Sequence, residues 1–363
     1  MRTEYKIGIA IIVLVVLGLG WLYFLSPENG VTNTAKKIIE DMAKSNAAKK
    51  ESGEPYKEIA NPSGFVNTGL NPDGTGKSIT IGELVGKKVV LVDFLTYSCI
   101  NCQRTFPYLN AWYEKYKDQG LEIVGIHTPE FAFEKNIENV REAMKEFGIK
   151  HPIVLDNNYS TWNAYGNKYW PRKYIIDIHG NVVYDHIGEG GYEETEMKIK
   201  ELLAERAEVL GTEMGIDEEL VSEGLTPAQN FAKSPEVYFG SGRNEYLANG
   251  QAGDSGRRDF VLPADFLPNS LYLGGEWNIS PEYAESVSDS RIVFYYYAKN
   301  VYFVAEAGSS VSLEVWQDGK LVNAVEVKES RLYRLIENEA AGEHVLELRA
   351  GGAGLKAYTF TFG

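Results

Sequence analysis

Residues 87–117 read KKVVLVDFLTYSCINCQRTFPYLNAWYEKYK. Lys88 to Leu95 is a near-continuous apolar run, as a central parallel strand buried on both faces requires. Gln103 to Lys117 follows with Phe106, Leu109, Tyr113 and Tyr116 at helical spacing. Between them stands Cys99-Ile100-Asn101-Cys102, a Cys-x-x-Cys at the end of a strand and the start of a helix. At a helix N-terminus, unpaired N–H groups and the dipole favour a thiolate at Cys99. A free thiol of pKa ~8.5 is only slightly ionised at pH 7, and lowering it to ~7 ionises about half. Two intervening residues bring Cys102 within disulfide reach of Cys99. On the first helical turn Cys102 would be shielded and act as the resolving thiol. Pro107 would kink the helix without ending it.

Two other uses of such a pair stay open. It could be half a zinc site, but these are the only two cysteines of the chain, and no Cys/His cluster of zinc type accompanies them. It could be a structural disulfide, but a four-residue loop constrains the unfolded chain very little. The strand–turn–helix setting favours a redox-active pair. Neither a metal nor a cofactor is expected.

Working outward, strand and helix patterns alternate from about 61 to 210. Leu121 to His127 and Pro152 to Leu155 read as strands. Glu134 to Phe147 reads as a helix with Ile137, Val140, Met144 and Phe147 on one face, ended by Gly148. Ser160 to Tyr165 reads as a helical turn. Lys173 to His179 and Val182 to Ile187 read as a hairpin around His179-Gly180-Asn181. Glu193 to Leu210 reads as a helix with Ile199, Leu202, Leu203 and Leu210 inward. Such alternation predicts an α/β sheet covered on both faces. Residues 211–234 are acidic and carry glycines and Pro227, the pattern of an interdomain linker.

From 235 to 363 the pattern changes to short strands and turns. Ile292 to Tyr297 and Val301 to Glu306 flank Ala298-Lys299-Asn300. Val311 to Trp316 and Leu321 to Val327 flank Gln317-Asp318-Gly319-Lys320, a hairpin signal. His344 to Arg349 and Tyr358 to Phe362 flank a glycine-rich loop. The pattern predicts an all-β sandwich. Ten of the 23 tyrosines lie here, with Trp277 and Trp316. Strand alternation puts Phe294 and Tyr296 on one face and Tyr295 and Tyr297 on the other. Trp277 and Trp316 are candidates for stacking on a glycan, with core packing as the plainer alternative, and the region would serve protein docking equally well.

At the other end, the nineteen residues Ile7 to Leu25 are uncharged and almost all apolar. At ~1.5 Å each they would span ~28 Å, close to a bilayer core. Trp21 and Tyr23 stand where interfacial aromatics belong, and Arg2 and Lys6 place residues 1–6 in the cytoplasm. The run is longer than a signal peptide's apolar region and lacks a small-x-small site. We read residues 7–25 as an uncleaved membrane anchor and 26–60 as a polar stalk. The domains would then lie on the extracytoplasmic side of the cell membrane. The net charge, 36 − 51 = −15, argues against a nucleic-acid partner.

The chain resembles the thioredoxin superfamily, and within it the membrane-anchored extracytoplasmic branch of TlpA, ResA and the soluble part of DipZ-type proteins. The strings VLVDFLTYSCINCQRTFPYLNAWYEKY, GIHTPEF, DNNYSTWNAYGNKYWPRKYIID and HGNVVYDHIGEGGY carry the resemblance. LGGEW at 273–277 resembles the domain that follows thioredoxin in DipZ-type proteins, which has a carbohydrate-binding-module-like fold. The resemblance implies an α/β thioredoxin fold in which Cys99 attacks and Cys102 resolves. It makes Asp93 the buried acid that accepts the Cys102 proton, where the residue alone also fits an exposed strand end. It makes Trp170-Pro171 the cis-proline site, with Tyr97 and Trp170 beside an incoming chain, where an ordinary trans proline is the alternative. Glu130 would tune the thiols or be a solvated loop acid.

The chain departs from the family pattern in two places. Tyr97-Ser98 replaces the usual Trp before the first cysteine, and Ile100-Asn101 stands between the cysteines in place of Gly-Pro. Both influence redox potential. The resemblance further implies disulfide-containing envelope proteins as substrates, a CcdA-type membrane electron donor and a place in cytochrome c maturation. A thiol peroxidase and a glycan-binding or docking protein with a thioredoxin-fold adapter are the alternative functions.

Overall fold

The computed structural model describes residues 53–213, 215, 219–227 and 232–363. The anchor expected at 7–25 and the greater part of the stalk expected at 26–60 lie outside them. Among the described residues no helix is long and apolar enough to cross a membrane.

The strands β1 (Glu54–Pro55), β2 (Gly64–Val66), β3 (Val89–Leu95), β4 (Leu121–His127), β5 (Ile153–Leu155), β6 (Arg172–Ile176) and β7 (Asn181–Ile187) form one sheet in the order β1-β7-β6-β3-β4-β5-β2. β3 pairs parallel with β4 and antiparallel with β6. All seven β3 residues are buried, as its unbroken apolar run requires. The helices are α1 (Ile81–Leu84), α2 (Ile100–Tyr116), α3 (Ile137–Glu146), α4 (Ser160–Ala164) and α5 (Tyr192–Leu210). Side chains of α2, α3 and α5 pack on one face of the sheet around Leu91, Phe106, Leu109 and Leu202. Ile81 of α1 and Trp162 of α4 pack on the other, around Val92 and Phe94. Both faces are covered, as the alternation predicts.

Three local expectations change. The segment 134–147 is not one helix. A 3-10 turn at Ala132–Lys135 precedes α3, and Asn136 separates them because its side chain caps α3 by accepting from Glu138 N at 3.0 Å. Leu210 is 40% exposed rather than inward, since the helix ends there at Gly211, whose φ of 64° belongs to the left-handed region. The described part of the acidic segment 211–234 is docked. Val221 N and Ser222 N donate to the Glu196 carboxylate at 2.8 Å each, and Lys115 Nζ donates to Glu219 O at 2.8 Å.

The C-terminal region is all-β: β8 (Val237–Tyr238), β9 (Gly256–Phe260), β10 (Leu271–Ile279), β11 (Ala284–Ser286), β12 (Ser290–Ala307), β13 (Val311–Gln317), β14 (Lys320–Val327), β15 (Arg331–Ala350) and β16 (Leu355–Phe362). Residues 292–306 are one strand, not a hairpin. A two-residue turn needs positive φ, and Asp318 (51°) and Gly319 (75°) supply it between β13 and β14. No residue of 298–300 does, so β12 runs on and absorbs the irregularity as register shifts against β15. Because β12 is long enough to pair with both β10 and β16, the pairings β10–β11, β11–β16, β16–β12 and β12–β10 close on themselves. The strands therefore form one folded-back sheet rather than two separate ones. Its interior is aromatic and aliphatic, with Trp277, Phe294, Tyr296, Phe303 and Phe360 nearly or fully buried. Phe294 and Tyr296 are thus the core pair that strand alternation singled out.

The two sheets meet at the Cys-x-x-Cys. Ile100 and Phe131 are buried in one cluster with Tyr302, Val304, Leu332 and Tyr358. Tyr97 Oη donates to Ser330 O at 2.9 Å, and Ala132 N donates to Glu282 at 2.9 Å.

Candidate active site

α2 begins one residue after Cys99, which is its N-cap in an extended conformation (φ −78°, ψ 121°). The Cys99 side chain is therefore held at the positive end of a 17-residue helix, where the first-turn N–H groups lack intrahelical partners. Both cysteines are free thiols. Cys99 is half-buried and Cys102, one turn in, is inaccessible. Burial pushes the Cys102 thiol well up, and its contact with Cys99 and the charge of Asp93 push it further. Cys99 is thus the more accessible of the two sulfurs.

Asp93 is the buried acid whose charge acts on Cys102. It lies on β3, fully buried, and neither carboxylate oxygen has a hydrogen-bond partner in the structure. Burial pushes it up to about 7, against the pull of Lys173. The exposed strand-end alternative is thereby excluded. Lys173 sits directly opposite Asp93 in the β3–β6 register, buried, with Nζ donating to Gly188 O at 3.2 Å. Burial lowers its pKa while Asp93 opposes that shift. Sequence reading missed Lys173: on an apolar strand a lysine reads as an edge residue, and only the register places it against Asp93.

The Trp170-Pro171 peptide bond is cis, which excludes the trans alternative. Trp170 is half-buried. Its indole donates to Thr128 O at 3.1 Å and lies 4.2 Å from the Trp162 ring, lining one cavity with Cys99. Tyr97 needs correction as a substrate contact. It is buried, with its hydroxyl taken by Ser330 of the C-terminal sheet and its ring stacked on His127 at 5.7 Å. Burial lowers His127 to about 3, so this imidazole is neutral at physiological pH.

Glu130 is not a solvated loop acid. Arg243 holds it at 2.7 Å and Tyr238 Oη donates to it at 2.9 Å, both from the C-terminal region. Glu134 was also missed. Buried beneath the motif, it accepts from Ser98 Oγ at 2.6 Å and Phe131 N at 3.0 Å, while burial raises it to about 7. Its sequence signal is that of an ordinary acid in a first helical turn. Both indoles proposed for glycan stacking also need correction. Trp277 is fully buried and donates to Gly274 O. Trp316 has the Arg349 guanidinium 4.0 Å from its ring centroid and donates to Glu314. Neither offers a free aromatic platform, because strand alternation turned one into the core and its neighbours covered the other.

A strand-end dithiol with one reachable sulfur, one shielded sulfur and a desolvated acid below defines a class. Residues 52–203 match the Redoxin family and residues 234–363 match the Thioredoxin like C-terminal domain. The chain is 34% identical over 155 residues to the thiol-disulfide oxidoreductase ResA of Bacillus thuringiensis, which covers 43% of this chain and 82% of that protein. It is 30% identical over 127 residues to the thiol-disulfide oxidoreductase YkuV of Bacillus subtilis, covering 35% and 85% respectively. The chain belongs to the thioredoxin-like thiol-disulfide oxidoreductases. It is also similar to Protein DipZ of Mycobacterium tuberculosis, 36% identical over 335 residues, covering 92% of this chain and 46% of that protein. The chain thus spans about half the length of that relative.

Proposed function

We propose that this chain reduces disulfides in proteins of the cell envelope, working from a membrane anchor at residues 7–25. The juxtaposition of half-buried Cys99, inaccessible Cys102 and unbonded Asp93 carries the reading. The Cys99 thiolate attacks one sulfur of a substrate disulfide. That S–S bond breaks, and the departing thiolate takes a proton from water. Cys102 then gives its proton to the Asp93 carboxylate and attacks Cys99 Sγ. The second substrate sulfur leaves and is protonated in turn. Two electrons have passed to the substrate, and Cys99–Cys102 is left as a disulfide. A dithiol donor must return them, and a membrane protein of CcdA type fits an anchored partner. Cytochrome c maturation is one process that would draw on such a reductant.

The test is direct. Cys99→Ser abolishes disulfide reduction, while Cys102→Ser accumulates mixed disulfides visible by mass spectrometry. Reduction at the wild-type rate by Cys99→Ser would defeat the assignment. A reduction potential near ~−270 mV supports a reductant, and one near ~−120 mV an oxidant. The Redoxin match favours a second reading, thiol peroxidase. Rapid consumption of hydrogen peroxide dependent on Cys99 would establish it instead.

A further inference from the structure

The cavity at Cys99, about 340 Å³, has a second wall that the mechanism above does not use. Cys99, Trp170 and Glu130 line it from one side. Glu236, Tyr238 and Arg243 line it from the C-terminal region. Ile100, next to Cys99, is buried in one cluster with Tyr302 and Leu332. A substrate segment that reaches Cys99 through this cavity passes the Glu236 wall.

The two carboxylates of this wall are not equivalent. Glu130 is neutralised by Arg243 at 2.7 Å, and that guanidinium is stacked 3.6 Å from the Tyr238 ring centroid. Glu236 accepts only from two neutral hydroxyls, Tyr238 Oη at 2.8 Å and Thr361 Oγ1 at 3.1 Å. Among the described residues no Lys, Arg or His lies within ion-pair distance of it. Tyr238 has a single hydrogen and also faces Glu130 at 2.9 Å, so the hydroxyl cannot serve both acids at once. Glu236 is the acid of the two without an ion-pair partner among the described residues. It opens to the cavity, and Val237 beside it is fully buried and paired to Phe360, which fixes its position. The net charge of −15 adds long-range attraction for a cation.

We propose that Glu236 is a specificity-determining residue of the dithiol site, selecting disulfides whose reacting cysteine is flanked by a Lys or Arg side chain. The inference rests on Cys99 being the thiol that meets substrate. Glu236 is exposed at the rim of the cavity and faces the Glu130 carboxylate. Tyr238 and Arg243 are the other titratable or charged groups facing it, so the test is run at pH 8, where it is ionised.

The probes are three synthetic peptides, each with one intramolecular disulfide, identical except for Lys, Gln or Glu next to the first cysteine. The reduced full chain is expected to favour Lys over Gln by about tenfold in kcat/KM, mostly through KM, and Gln over Glu. Glu236→Gln collapses the Lys preference to less than twofold, and Glu236→Lys inverts it toward the Glu peptide. Glu339→Gln, at an exposed acid of β15, keeps the tenfold ratio. Equal rates for the three peptides, or a Lys preference that survives Glu236→Gln, overturn the proposal while leaving the dithiol chemistry standing. If the protein proves an oxidant, its disulfide form acting on the same peptides as dithiols shows the same preference. Failure of Cys99 to react with any peptide in either direction overturns the thiol assignment and this inference together.

Discussion

The region around the first sheet buries Asp93, Glu134, Asp156, Lys173, Asp177 and Glu196, whereas the described residues around the second sheet bury no charged side chain. Taking an ion out of water costs several kcal/mol unless partners repay it. Most of the buried carboxylates are repaid. Asp156 accepts from Thr161 N and Trp162 N, Asp177 from His179 N and Asn181 N, and Glu196 from Tyr116, Val221 and Ser222. Asp93 alone among them has neither oxygen bonded. A hydrogen-bonded buried acid holds structure, while an unbonded one beside a shielded thiol is free to take a proton. The second sheet relies on packing instead, and its buried polar residues, Asn244, Ser286, Ser290, Gln317 and Thr359, are all uncharged.

The contrast predicts different ways for the two regions to fail. Trp277→Ala removes a fully buried indole from the second sheet and should cost ~3–5 kcal/mol in urea unfolding. A cost below 1 kcal/mol would mean that the aromatic core is not what holds that sheet. Asp93→Asn should act through charge. Asp93 keeps its proton up to about 7 in the folded chain but releases it near 4 when unfolded. Its contribution is complete below pH 4 and is lost as pH rises through 7. The stability of Asp93→Asn relative to wild type should therefore rise between pH 4 and pH 8, by on the order of 3 kcal/mol. The same variant should slow release of the mixed disulfide by about 10²-fold in stopped-flow, the scale of a lost general base. A flat difference in stability across pH would remove Asp93 from the class of desolvated acids.

Smaller effects probe the seam between the sheets. Tyr97→Phe deletes the hydroxyl bonded to Ser330 O and should cost about 1 kcal/mol. Arg331→Ala breaks an ion pair with Glu146 at 2.8 Å in which both side chains are about half exposed, and should change stability by less than ~0.5 kcal/mol. If the second exceeded the first, the seam would be electrostatic rather than packed.

Much of this was legible in local pattern. The run before Cys99 reads as a buried strand because a central strand tolerates few polar residues, and Asp93 is conspicuous as the exception. Asp318-Gly319 reads as a turn because those residues tolerate positive φ. The break at Asn136 was less legible, since helical periodicity continues across it and only the capping bond reveals the interruption. Glu134, Lys173 and Glu236 look like ordinary solvent-facing charges in one dimension. Their burial or lack of a counter-ion follows from register and from contacts across more than 30 residues of chain.

Taken alone, the amino-acid order determines the strand–dithiol–helix unit and the change from an α/β to an all-β pattern, because each depends on residues close together in the chain. The three-dimensional arrangement decided which acids face the thiols, that Tyr97 and Trp277 are interior, and that the C-terminal sheet forms a wall of the Cys99 cavity. Those are matters of desolvation and distance between remote segments, quantities that exist only once the chain has folded.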